Sequence, residues 1–255
     1  MELIFTSFIL IFTSIGILSS IFILSLIYFN RHKIPINTPI LLQCNTYFAF
    51  IIACLTLLNM YAYNLYGNLH ENISFKNWWC YTRAYLLHVG LCLIYHSYLL
   101  QSCFRLFRIV FYKNQQLQNY NFTVRLILIQ WLIDFSIIFS ILFTHHFKYI
   151  EDYYYCHIPF EDFQGLLITA SMIYYFPMIT IGWIYFYIIY YMHQTKIRQQ
   201  MNEKDLIVLR RIIILVGMLF ILSFPTILLW LGYKITGYLY PFVYHYQFFR
   251  LYLLC

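Results

Sequence analysis

The chain has 255 residues, of which 62% are hydrophobic and 10% are charged, and its formal net charge is +7. A water-soluble domain of this length needs a polar surface, and so few charged residues cannot supply it. The composition therefore excludes a water-soluble domain and predicts a chain surrounded by lipid. The 27 Tyr and 25 Phe are too many for aromatic belts at the membrane surface alone. Part of them must line the protein interior.

Seven apolar segments follow one another in what we expect to be a single transmembrane domain, residues 1–255. A helix crosses the hydrocarbon layer of about 30 Å with roughly 20 apolar residues. The predicted spans are residues 3–29, 38–64, 80–108, 123–147, 163–193, 206–233 and 238–255. The seventh is interrupted by Arg250 and is expected to be short or incomplete. The first has Glu2 and no basic residue at its start, which predicts a retained helix and not a cleaved signal peptide.

Long continuous apolar segments predict an all-α fold, because a membrane β-barrel shows short strands of alternating polarity instead. The sequence contains neither a long soluble domain nor an internal repeat. Many transporters are built from such repeats, so this absence gives a transporter little support.

The distribution of Lys and Arg predicts the orientation. With the N-terminus outside, the inner segments hold eleven basic and two acidic residues, and the outer segments hold four basic and six acidic residues. The basic charge therefore belongs to an inner membrane face and does not indicate nucleic-acid binding. A glycosylation sequon at Asn72 falls in a predicted outer loop, which agrees with this orientation. We expect the plasma membrane, with the N-terminus extracellular.

Seven Cys are present, and only Cys80 and Cys156 fall on the predicted outer side. That side is oxidising, so a disulfide between them is a reasonable expectation. It would hold the long outer loop across the mouth of the helix bundle. Two unpaired thiols are the alternative.

An ordered set of residues lies on the expected sides of the predicted spans. Its members are Cys80, Arg105, Trp131, Cys156, Pro177, Tyr185 and Pro225. With this set the chain resembles a rhodopsin-like G-protein-coupled receptor, from residue 3 to about residue 235. In that family a Cys at the outer end of helix three pairs with one in the second outer loop, and an Arg lies 25 residues later. The resemblance implies a bundle of seven helices.

The resemblance also implies roles for these residues. Pro177 and Pro225 each remove a backbone hydrogen bond and make helices five and six bendable. In the family an outward swing of helix six opens an inner cleft for a G-protein helix, and Arg105 and Tyr185 would line that cleft. Trp131 stands where the family has its helix-four Trp. The alternative for Arg105 is a simple basic anchor at the inner membrane face.

Several positions depart from the family pattern. Phe104 replaces the acidic residue before the arginine, Ser223 replaces the helix-six Trp, and Phe50 lies near the place of the helix-two acid. The Asn-Pro and Tyr motif of helix seven is absent. These departures put the acid–arginine lock and the sodium site of the family in doubt.

The candidate ligand pocket contains Leu87, His88 and Cys92. Leu87 occupies the position at which amine receptors have Asp, which disfavours a biogenic amine, and the seventh segment offers no Lys for retinal. A packing role is the alternative for His88. Asp134 is an intramembrane acid and therefore a functional candidate, with a hydrogen bond between helices as the alternative. The acidic, aromatic outer loop at Tyr153 is suited to a basic or peptide ligand.

The expected function is that of an orphan receptor, which binds an unknown extracellular ligand and passes the signal to a heterotrimeric G protein by movement of helix six. The alternatives are a transporter or channel of another heptahelical class and a receptor copy that does not signal. No enzymatic activity, cofactor or metal is expected. The histidines considered do not have the spacing of a metal-binding motif; they are His88, His96, His145 and His146.

Overall fold

The protein is described by a computed structural model over residues 2–30, 37–70, 75–159 and 161–194, together with residues 217, 232 and 235. Asn72, Pro225, the whole predicted seventh span and nearly all of the sixth lie outside the described residues. The predictions that concern them are therefore not tested by the structure.

Six α-helices dominate the described chain. They are α1 (Glu2–Phe29), α2 (Thr38–Leu69), α3 (Trp78–Ile109), α4 (Tyr120–Phe143), α5 (Phe163–Ala170) and α6 (Phe176–Gln194). A π-helical turn over Ser171–Tyr175 joins α5 to α6, so that Phe163–Gln194 forms one continuous segment. Among the described residues, five helical segments are long and apolar enough to cross a membrane. The chain is therefore an all-α, multi-pass membrane protein, as the composition predicted.

Polar capping residues mark the starts of two of the helices. The Asn77 side chain accepts a hydrogen bond from the Cys80 N–H at 3.0 Å and caps α3, and Asp162 accepts one from the Gly165 N–H at 3.0 Å and caps α5. Such side chains satisfy backbone donors that the first helical turn leaves unpaired. These caps fix where α3 and α5 begin.

The third helix is the central element. In α3, 67% of the apolar segment is buried inside the protein, compared with 22–44% for the other four segments. It packs against α2, α4 and α6. Large apolar side chains elsewhere point outward, where lipid would surround them, among them Phe22, Leu132 and Trp183, which are 63%, 70% and 68% exposed. Helix α3 therefore connects most of the described elements.

A close approach of backbones holds α2 against α3. A Cβ atom built at Gly90 would lie 2.9 Å from the Cα of Ala53, closer than real side-chain carbons come to such atoms. Small residues at helix contacts are typical of membrane proteins, in which van der Waals packing drives association. Gly90 is therefore required by the spacing of the two helices.

A two-stranded antiparallel hairpin covers one end of the bundle, which we call the hairpin end. It consists of β1 (Lys148–Ile150) and β2 (Tyr155–His157), with Tyr149 opposite Cys156. All three residues of β2 are buried. The Asn64 side chain donates a hydrogen bond to the Tyr153 carbonyl at 2.8 Å and fastens the hairpin to α2. The opposite end of α3 carries Arg105 and is called the arginine end.

The irregularity in the fifth span lies next to Pro177. The π-helical turn ends at Tyr175, two residues before this proline. Proline has no N–H to donate to the carbonyl four residues earlier, which is that of Ile173 within the turn. The π-helical turn therefore lies where the proline leaves a backbone carbonyl without its usual donor.

Candidate functional site

The hairpin end is linked covalently to α3. Cys80 and Cys156 form a disulfide, with their Cα atoms 5.4 Å apart, and both residues are 1% exposed. Cys80 lies in the first turn of α3 and Cys156 in β2. The pairing that the sequence suggested is therefore present, and it holds the hairpin over the end of the central helix.

The hairpin is also tied to the start of α5. His146 Nδ1 lies 2.7 Å from Asp162 Oδ2, and the other carboxylate oxygen of Asp162 caps α5. Burial alone would raise the pKa of Asp162. The hydrogen bonds from Gly165 and His146, with the electrostatic influence of His146 and Lys148, outweigh that effect and lower the pKa below its ordinary value. The carboxylate therefore stays ionised and keeps both contacts.

Two histidines pack beneath the hairpin. His88 of α3 donates through Nδ1 to the Ala84 carbonyl at 2.7 Å, and its ring centroid lies 5.0 Å from that of His157 and 5.0 Å from that of Phe147. His157 donates to the Ile158 carbonyl at 2.9 Å. Burial lowers the pKa of His157 to about 4, although that hydrogen bond partly opposes the change. The His157 ring is therefore neutral near pH 7.

Arg83 is a buried cation at the hairpin end. The residue is 2% exposed, and its guanidinium carbon lies 3.9 Å from the centre of the Tyr63 ring. Within the described chain, none of its three guanidinium nitrogens has a hydrogen-bond partner. A cation–π contact compensates only part of the cost of removing this charge from water. Arg83 is therefore a buried cation whose donors an anion could satisfy.

A second polar cluster lies between α3 and α4. Asp134 is 1% exposed; its Oδ1 lies 2.5 Å from His96 Nδ1 and 3.5 Å from Cys92 Sγ. Cys92 Sγ and His96 Nδ1 are 3.3 Å apart. The Gln130 amide donates to Asp134 Oδ2 at 3.3 Å and to the Leu93 carbonyl at 3.1 Å. Asp134 thus makes the hydrogen bond between helices that the sequence analysis kept as an alternative.

The cluster continues from Gln130 to α2. The Asn45 amide donates to Gln130 Oε1 at 3.1 Å, and Asn45 Oδ1 accepts a hydrogen bond from the Trp131 indole N–H at 2.8 Å. Buried polar networks of this kind are stable when each member is satisfied. Trp131 therefore has a structural role here, which is to connect α4 with α2.

The arginine end brings together the two residues that the family resemblance assigned to a cleft. Arg105 Nη1 lies 3.4 Å from the Tyr185 hydroxyl oxygen, which accepts the hydrogen bond. Tyr185 is 5% exposed and belongs to a buried cluster with Ile181 and Ile188. Arg105 is half-buried. The last turns of α3 meet the fifth span through this contact.

The three predicted pocket residues do not face one common feature. Leu87 is 1% exposed within the core, His88 contacts the hairpin, and Cys92 contacts Asp134 of α4. Arg83 and His96 were missed as candidates. The sequence placed Arg83 among outer loop charges and saw no metal motif around His96, because Tyr63, which contacts Arg83, and Asp134, which contacts His96, come from other helices.

Comparison with models of known protein families gives no match, and comparison with curated protein sequences gives none either. Any functional proposal therefore rests on the membrane architecture and on the geometry of these sites.

Proposed function

We propose that this protein is a receptor with seven transmembrane helices of the rhodopsin-like kind, which binds an extracellular ligand and activates a heterotrimeric G protein. It lies in the plasma membrane with its N-terminus outside. The observation that carries the proposal is the environment of α3. This central helix is joined by a disulfide to a covering hairpin at one end and contacts Tyr185 through Arg105 at the other.

In this proposal the arginine end faces the cytosol and forms part of the G-protein cleft. Because Phe104 replaces the acidic residue that precedes the arginine in the family, this sequence lacks the family's pair of adjacent acid and arginine. The contact with Tyr185 links the third span to the fifth. The π turn beside Pro177 gives the fifth span a place to bend. Ligand binding would shift the balance between two arrangements of these helices.

At the hairpin end, we propose that the ligand carries an anionic group that binds Arg83. A guanidinium offers five N–H donors and matches the planar geometry of a carboxylate. Its nitrogens lack partners within the described chain, so an anion would satisfy donors that are otherwise unmet. A peptide ligand agrees with both features, because its free carboxylate would bind this cation and its basic groups would meet the acidic outer loop at Tyr153.

Coupling can be tested directly with purified protein in lipid nanodiscs. Heterotrimers from each main G-protein class are mixed with the protein, and release of GDP is measured. We expect the protein to accelerate GDP release from at least one class of heterotrimer. Arg105→Ala should lose this acceleration, and Arg108→Ala, which removes an exposed charge one turn away, should keep it. No acceleration with any heterotrimer, or equal activity of Arg105→Ala and wild type, would contradict the proposal.

The described structure gives the alternative of a transporter no added support. A charged path through the bundle would need Asp134, which is 1% exposed and hydrogen-bonded between helices. Ion flux in proteoliposomes that is abolished by Asp134→Asn would nevertheless favour the transporter over the receptor.

A further inference from the structure

We propose that Cys92, His96 and Asp134 form a binding site for a divalent transition-metal ion, of which zinc is the appropriate probe, and that the ion joins α3 to α4. This site stands apart from the proposed receptor function, since neither its geometry nor its test depends on a ligand or a G protein. Thiolate, imidazole and carboxylate together are a donor set that zinc prefers.

The positions of the donors follow from helix geometry. Cys92 and His96 are four residues apart on α3, so their side chains lie on one face of the helix, one turn apart. Asp134 reaches the same point from α4. Cys92, His96 and Asp134 are 0%, 9% and 1% exposed. Three donors from two helices therefore converge at a site that is almost closed to solvent.

The distances between donor atoms are close to those of a metal site. Tetrahedral zinc holds bound S, N and O atoms about 3.3–3.6 Å apart, given Zn–S bonds of about 2.3 Å and Zn–N and Zn–O bonds of about 2.0–2.2 Å. Sγ lies 3.3 Å from Nδ1 and 3.5 Å from Oδ1. Only the separation of Nδ1 from Oδ1, which is 2.5 Å, has to widen. These two atoms have to move apart by roughly 1 Å to reach the spacing of bound ligands.

Charge balance also favours a divalent ion. A thiolate, a carboxylate, a neutral imidazole and one divalent cation sum to zero, so the complete site adds no net charge to the membrane interior. Isolated charges there are costly. The metal-free cluster is neutral as well if an imidazolium pairs with the carboxylate, and the experiment must distinguish these two states.

The surrounding residues resemble the outer shell of a metal site. Gln130 donates to Asp134 Oδ2, the oxygen that Cys92 and His96 do not contact, at 3.3 Å. Asn45 in turn holds Gln130 at 3.1 Å. Groups of this kind orient a ligating carboxylate and raise metal affinity. Three protein donors leave a fourth position for water or another small ligand, as in zinc sites that remain open.

The test uses the full chain in lipid nanodiscs, purified with a tag that contains no histidine and stripped of metal by a chelator. Cobalt is added as a spectroscopic substitute for zinc, because a thiolate bound to cobalt gives a charge-transfer absorption band. We expect this band to saturate at one equivalent and to be displaced by zinc. It should be absent in Cys92→Ser and present in the matched control Cys103→Ser, which changes a free cysteine on the same helix.

A variant that fails to fold would leave Cys92→Ser uninformative, so two further measurements are included. Gln130→Ala keeps all three donors, and we expect it to weaken cobalt binding by about 10–100-fold, as loss of an outer-shell partner does. Zinc should also raise the melting temperature of the wild type. No charge-transfer band in the wild type, or an unchanged band in folded Cys92→Ser, would overturn the proposal.

Discussion

Arg105 and Tyr185 lie 80 positions apart in the sequence, yet the Nη1 atom of the arginine is 3.4 Å from the hydroxyl oxygen of the tyrosine. The contact joins the last turns of α3 to α6. It brings a half-buried cation to a largely buried acceptor, at the end of the bundle opposite the disulfide. The stability of this end should therefore depend on both side chains together.

The first prediction concerns this hydrogen bond. Tyr185→Phe removes the acceptor oxygen and keeps the ring, so we expect unfolding to become easier by about 1 kcal/mol, since the bond involves a charged donor but is long. Arg105→Ala should lower the free energy of unfolding by a similar amount. The double variant should lower it by clearly less than the sum of the two single changes. Thermal unfolding of the four proteins in nanodiscs measures the coupling, and effects that add within about 0.3–0.5 kcal/mol would show that the contact is absent.

The sequence predicted the membrane helices well because the hydrophobic signal is local. The predicted second span, 38–64, lies within α2, and the predicted third span, 80–108, lies within α3. The pairing of Cys80 with Cys156 was also accessible, because the two residues fall on the same predicted side of the membrane. The helix ends are less exact, since α2 continues past the predicted end at residue 64 to Leu69, where the backbone N–H of His70 bonds to the Tyr66 carbonyl.

The polar clusters were not accessible from the sequence for a physical reason. The burial of Arg83 depends on how α2 and the hairpin close over one face of α3, and the cluster at His96 depends on the face that α4 presents. An almost uniformly apolar helix carries little periodicity to indicate its inward face. The i, i+4 spacing of Cys92 and His96 was visible, but their partner Asp134 could only be placed by the packing of helices.

The second prediction concerns the disulfide. Cys80→Ser removes a bond that closes a segment with a sequence separation of 76 residues, so we expect the free energy of unfolding to fall by about 2–4 kcal/mol. The hairpin should then exchange its amide hydrogens faster than the helices do. Mass spectrometry of unreduced peptides checks the bond, and hydrogen exchange checks the hairpin. Cys103→Ser is the control and should change neither the free energy of unfolding nor the exchange of the hairpin. Equal hairpin exchange in Cys80→Ser and Cys103→Ser would show that the bond does not hold the hairpin.

The third prediction compares two glycines. Gly90→Ala places a Cβ 2.9 Å from the backbone of Ala53, so α2 and α3 must separate. We expect the free energy of unfolding to fall by about 1–3 kcal/mol. Gly182→Ala is the matched control, because a Cβ there has no heavy atom within 4 Å. The melting temperature of Gly90→Ala should lie below that of the wild type, and that of Gly182→Ala should equal or exceed it. Equal melting temperatures would contradict the close contact of the helices.

The fourth prediction concerns acid and the hairpin. His157 has a pKa of about 4 in the folded protein because burial disfavours its charged form, while an exposed histidine has a pKa near 6.5. Between these values the unfolded chain binds a proton that the folded chain does not. Stability is therefore greatest above pH 6.5 and falls as the pH drops toward 4, by up to about 3 kcal/mol for this group. Local hydrogen exchange of residues 148–157 measures the change.

The control for this prediction separates His157 from the titratable groups around it. His157→Gln should lose less protection than the wild type between pH 6.5 and 4, because glutamine does not titrate. His88 faces His157 at 5.0 Å between ring centroids, so a His88→Gln variant shows how much of the remaining change comes from that ring. Asp162, whose pKa is lowered from an ordinary 3.8, contributes stability that is lost only at still lower pH. If wild type and His157→Gln lose protection equally, the buried neutral state of His157 is wrong.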